Sequence, residues 1–137
     1  MKKIIVPGLT AGVVILILGM VISYIFMPFP SIRADYNSTS VIMRSWADPL
    51  ISLFLLYPFV LGVALAWFWD KSKHVFKGSF IKRGFGFGFA YFVIATIPGM
   101  LISYSSLSLS LLTIISWAIS GFINAVAAGM IFAKMDK

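Results

Sequence analysis

The chain predicts an all-α integral membrane protein with four transmembrane helices, and three observations carry that expectation. Hydrophobic residues make up 61% of its 137 positions and charged residues 11%, far below the roughly 25% charged residues of soluble proteins. Four stretches, at about 4–27, 50–69, 84–104 and 109–133, contain no Asp, Glu, Lys, Arg or His and are each long enough to cross a bilayer. The Lys and Arg residues also sort onto alternate connections. The spans occupy about two thirds of the chain, so residues 1–137 are expected to form a single four-helix domain with short loops.

The first span follows Lys2 and Lys3 and, at 1.5 Å per residue, extends roughly 36 Å. Its apolar run is longer than a signal peptide's and no small-residue cleavage pattern follows Met27, so a retained anchor is expected. The second span begins after Asp48 and Pro49 and stops at Asp70, Lys71 and Lys73. The third and fourth are joined by a Ser-rich connection short enough to require a tight hairpin. The four spans therefore read as two antiparallel hairpins.

Positive residues set the orientation. Lys2, Lys3, Lys71, Lys73, Lys77, Lys82, Arg83, Lys134 and Lys137 lie at the termini and the second loop, whereas the first loop carries Arg33 and Arg44 against Asp35 and Asp48. Both termini are expected in the cytoplasm. Trp67 and Trp69 at the inner end, with Tyr24 and Tyr104 at the outer, fit interfacial anchors.

Two internal echoes suggest duplication. Gly19-Met20-Val21-Ile22-Ser23-Tyr24 matches Gly99-Met100-Leu101-Ile102-Ser103-Tyr104, and Phe59, Gly62, Val63, Ala64 and Ala66 pair with Phe122, Ala125, Val126, Ala127 and Gly129. They fall in corresponding spans and in the same order, as a parallel internal repeat of two hairpins requires. Small residues four apart recur at Gly8 and Gly12, Gly62 and Ala66, Gly84 and Gly88, and Gly121, Ala125 and Gly129. Such spacing permits close helix approach, first within the chain's own bundle and alternatively between copies in a homo-oligomer. Alternation of Gly84, Gly86 and Gly88 with phenylalanines lacks the preceding strand of a nucleotide loop.

Thr113, Ser116, Ser120 and Asn124 share one stripe of the fourth span. An unpartnered amide in hydrocarbon is costly, so Asn124 is expected to bond another helix. Thr96, Tyr57 and the carbonyls of Phe54 and Ile94, freed by helix kinks at Pro58 and Pro98, are the candidates. The stripe reads either as an interhelical clasp or as an outward-facing polar cavity for a neutral or weakly polar solute.

The outer loop at 28–49 includes an expected short amphipathic helix at Ser40 to Ala47, with Val41, Ile42, Met43 and Trp46, and a formal sequon at Asn37-Ser38-Thr39. In the second loop, Lys71, Lys73, Lys77, Lys82 and Arg83 are expected to contact anionic lipid headgroups on the cytoplasmic side. His74 reads as a solvated residue and Asp70 as a locally paired helix-end charge.

Absence of Cys excludes disulfides and thiolate chemistry. The net charge of +7 lies beside the spans, so lipid rather than nucleic acid is the expected partner. Neither paired carboxylates nor a His-rich ligand set occurs, so no enzyme activity, cofactor or metal is expected. A structural or accessory, lipid-interacting bundle, alone or within a larger membrane complex, is the leading expectation. The alternative is a small transporter or channel using the Asn124 stripe.

Overall fold

The structure is a computed structural model describing residues 2–37, 44 and 47–136. All its regular elements are helical: α1 (Lys2–Phe26), α2 (Pro30–Asn37), α3 (Ser52–Ser72), α4 (Phe80–Tyr91), α5 (Ile97–Ser106) and α6 (Leu111–Met135). A 3₁₀ turn at Pro49–Ile51 leads into α3, another at Lys73–Val75 follows it, and a π-turn at Phe92–Thr96 joins α4 to α5. Four continuous runs, Lys2–Phe26, Pro49–Val75, Phe80–Ser106 and Leu111–Met135, are long and apolar enough to cross a membrane. Each expected span falls on one of these runs, with ends displaced by one to six residues. Residues 40–43, 45 and 46 of the expected surface helix and residues 38 and 39 of the sequon lie outside the described residues.

Local chemistry explains the boundaries. Asp48 caps the 3₁₀ turn by accepting from the Leu50 amide at 2.9 Å, with Pro49 in the first turn, where a missing N–H costs nothing. Gly78 adopts φ +102°, which a side chain resists, and turns the chain so that Ser79 can cap α4. Ser110 caps α6, accepting from the Thr113 amide at 3.3 Å.

Two glycine-lined seams organise the packing. A Cβ on Gly8 would meet Val63 Cα at 2.7 Å and one on Gly12 would meet Phe59 Cα at 2.9 Å, so α1 and α3 touch backbone to backbone. In the second seam a Cβ on Gly84 would lie 2.6 Å from Met130 N and one on Gly88 2.6 Å from Val126 N. Of the small residues expected to mediate close approach, Gly8, Gly12, Gly62, Gly84, Gly88 and Gly129 are all used inside the chain. Without a hydrophobic drive between helices in lipid, this van der Waals contact is the main cohesion available.

The core concentrates at the end holding Trp69. Phe87, Phe132, Ala128, Ala11 and Ile15 pack with Trp69 into one cluster. The Trp69 and Phe87 rings meet edge-on at 5.3 Å and Trp69 stacks on Phe76 at 5.9 Å, favourable offsets for aromatic quadrupoles. Toward the other end the bundle thins. Leu53 to Tyr57 of α3 are exposed and α5 buries no residue. Trp69, 4% exposed, is therefore a core residue and not the interfacial anchor its position suggests; Trp67, 54% exposed, remains on the surface.

Candidate functional site

Polar chemistry gathers at the two ends of the bundle. At the end containing Trp69, Asp70 stands in the last turn of α3 and Lys73 just beyond it, while α4 presents Arg83 one turn before Phe87, so both Arg83 and Phe87 reach Trp69 from one helix face. Asp136, just beyond α6, receives Lys73 Nζ at 2.7 Å and Arg83 Nη2 at 2.9 Å. Lys73 also lies 3.5 Å from Asp70, and the Arg83 guanidinium sits 5.0 Å above the Trp69 ring. The Lys73 bond, reinforced by Arg83, outweighs burial and holds the Asp136 carboxyl below its ordinary pKa. Trp69 Nε1 and Arg83 Nε are buried without a hydrogen-bond partner among the described residues.

Beside this cluster opens a cleft of about 340 Å³ bordered by Lys2, Lys3, Asp70, Lys73 and Asp136. The residues expected to contact headgroups fall into two sets. Lys71, Lys77 and Lys82 are exposed, whereas Lys73 and Arg83 are engaged with Asp136. His74 is exposed.

At the opposite end, Asp35 of α2 anchors the start of α6. It accepts the Ser110 amide at 3.0 Å, the Ser110 hydroxyl at 2.7 Å and the Thr113 hydroxyl. Burial pushes the Asp35 carboxyl up, but the bonds from Thr113 and Ser110 prevail and hold it below its ordinary value. Placement of a carboxylate at a helix N-terminus is favourable on dipole grounds as well. Trp117 Nε1 donates to the Tyr36 hydroxyl at 2.9 Å, a second tie between α2 and α6.

The expected polar stripe is therefore divided. Thr113 serves Asp35, and Ser116 Oγ donates to the Thr113 carbonyl at 2.7 Å. Ser116 and Ser120 line a crevice of about 40 Å³ with Ile22, Tyr36 and Trp117. That volume holds only a few waters. Asn124 Nδ2 reaches Ser120 Oγ at 3.4 Å within its own helix, and Asn124 Oδ1 is buried without a partner among the described residues. Thr96 is buried, and its methyl would lie 3.1 Å from a Cβ on Gly121. Tyr57, 57% exposed, faces outward. The structure thus does not join Asn124 to Thr96 or Tyr57 by a hydrogen bond. At Pro98 the chain adapts with a π-turn in which the Ile97 amide donates to the Phe92 carbonyl, a common adjustment where a proline removes a helix bond. Pro58 lies buried inside α3, with its carbonyl 3.1 Å from a Cβ on Gly12.

Asp136 and Asp35 are the site residues that sequence reasoning did not single out. Their scarcity was the available signal, since the chain has four acidic against eleven basic residues. Compared with family models, curated proteins and solved structures, the chain matches none.

Proposed function

We propose that this protein is a non-enzymatic, multi-pass membrane protein whose role is structural or accessory, in contact with membrane lipids and assembled as a homo-oligomer or within a larger membrane complex. The observation that carries this reading is the use of its polar side chains in packing. Ser110, Thr113 and Ser116 bond to Asp35 or their own helix, Lys73 and Arg83 are drawn to Asp136, and the stripe leaves a crevice of about 40 Å³. Solute sites usually enclose several hundred Å³. The exposed outer half of α3 and α5, which fully buries no residue, leave apolar surface for lipid or another subunit.

We take the chain to be two antiparallel hairpins in the same orientation, related as a parallel repeat. Offsets of 80 residues and 63 residues align the echoes Gly19 with Gly99 and Phe59 with Phe122. The same offsets carry the Gly8 and Val63 contact onto the Gly88 and Val126 contact. The positive end is assigned to the cytoplasm, with both termini there, because positive flanks are retained on that side. Lys71, Lys77 and Lys82 then lie where anionic headgroups are available.

Purification of the full chain from its membrane in mild detergent tests the accessory reading. A reproducible complex larger than the monomer is expected. A monomer that catalyses solute flux in proteoliposomes would replace it with the second reading, a small transporter or channel. The unpartnered Asn124 Oδ1 favours that alternative. Asn124→Leu would then abolish flux without altering thermal stability.

A further inference from the structure

We propose that the cleft at the positive end is a binding site for the phosphodiester headgroup of an anionic phospholipid, built by Lys2 and Lys3 of α1 against the end of α3. This deepens the lipid-interacting reading and rests on it. It relocates the specific contact from the loop lysines to a different pair of residues.

The charge pattern points to an anion. The cleft is bordered by three lysines and two aspartates, but the aspartates are already engaged: Asp136 with Lys73 and Arg83, and Asp70 with Lys73. Lys2 and Lys3 have no carboxylate partner among the described residues, so the unspent charge is theirs. They also stand in the first turn of α1, where amide hydrogens lack intrahelical acceptors and the helix dipole adds positive potential.

The remaining wall explains why the anion would be amphiphilic. Val6, Pro7, Ala66, Phe132 and Met135 continue the cleft with apolar surface. A volume of about 340 Å³ is at the lower end of small-molecule sites. It suits a headgroup with the first carbons of its chains better than a fully hydrated phosphate. Basic pockets between membrane helices are a recurrent setting for such headgroups. The loop residues Lys77 and Lys82 do not border the cleft, so their attraction to a membrane should follow net charge alone.

Native mass spectrometry of the full chain, titrated with phosphatidylglycerol or phosphatidylcholine in detergent, separates these contributions. Wild-type protein should retain phosphatidylglycerol preferentially. Lys2→Gln with Lys3→Gln should weaken that binding about tenfold, whereas Lys77→Gln with Lys82→Gln, which removes equal charge, should weaken it less than about twofold. Met135→Trp, at an exposed position, should also reduce binding by occupying the apolar wall without changing charge. Equal losses in the two lysine pairs would overturn the proposal. So would displacement of the lipid by inorganic phosphate at the same concentration, which would assign the site to a free anion. If the chain were extracted from liposomes by alkaline carbonate, the underlying membrane reading would fail as well; a carbonate-resistant chain without the lysine effect would sink only the cleft.

Discussion

On the repeat proposed above, the two glycine seams occupy related positions but continue differently. Between α1 and α3, Gly8 lies on Val63 and Gly12 on Phe59, so the helices stay in backbone contact through more than one turn. Between α4 and α6, Gly84 lies on Met130 and Gly88 on Val126, again through one turn, but 80 residues beyond Gly12 stands Phe92, whose ring meets Phe122 at 5.2 Å. A ring thus stands where the first seam has a hydrogen atom. At that residue the π-turn begins, and beyond it α5 buries nothing. One side-chain difference thus accompanies the point at which the helix of the second pair changes from α to π geometry.

The strongest way to break the comparison is to place a methyl group in both seams. Gly62→Ala would drive Cβ onto the Gly8 carbonyl, and Gly88→Ala would press against the Val126 backbone. Because backbone cannot yield as a side-chain tip can, each should cost about 1–3 kcal/mol, read as a lowered melting temperature in detergent. A neutral result at either site would show that its seam is not close-packed. Phe92→Ala probes the difference itself. Loss of the aromatic pair should cost about 0.5–1.5 kcal/mol, and hydrogen exchange in the π-turn at Phe92–Thr96 should slow if the helices then approach.

Two polar ties hold the pairs to each other, one at each end. Lys73 follows α3, and its acceptor Asp136 follows α6; Asp35 follows α1, and its donors Ser110 and Thr113 begin α6. Asp136→Asn should lower stability by about 1 kcal/mol, a modest value because its carboxylate remains partly exposed. Acid should loosen both ties. Each carboxyl has a folded pKa below its ordinary value, so its stabilisation is full above the unfolded pKa of about 4 and fades as pH falls through the lower folded value. Melting temperatures measured from pH 7 downward should fall below about pH 4, and less steeply in Asp35→Asn combined with Asp136→Asn. The smallest effect belongs to Gly19→Ala and Gly99→Ala. A Cβ at either meets open space, so each should shift stability by less than about 0.5 kcal/mol.

The four helical runs were legible because hydrocarbon excludes charge from every residue facing it, and that exclusion is written locally in the chain. The small-residue stripes were legible as spacing, yet their partners were not, since Gly84 says nothing of Met130 until the helices are paired. The ties were hidden for the same reason: Asp136 bonds residues more than fifty positions away. Trp69 misled because tryptophan at a span end is usually interfacial, and only the arrival of Phe87 and Phe132 buries it. Periodicity grouped Thr113 through Asn124 correctly on one helix, but it could not anticipate that Asp35 would take Thr113 while Asn124 turned to Ser120.

The Asp136 tie has a consequence for biogenesis. Ribosomes make Asp136 after Lys73 and Arg83, so a nascent chain with three spans emerged carries those cations without this counter-ion. On the orientation proposed above, Arg83, and Lys73 with only Asp70 beside it, face the insertion machinery while the middle connection is being retained, and gain the Asp136 carboxylate only when the last helix arrives. On that orientation, charges that first steer topology are reused as a latch, and the order of synthesis keeps the two tasks from competing.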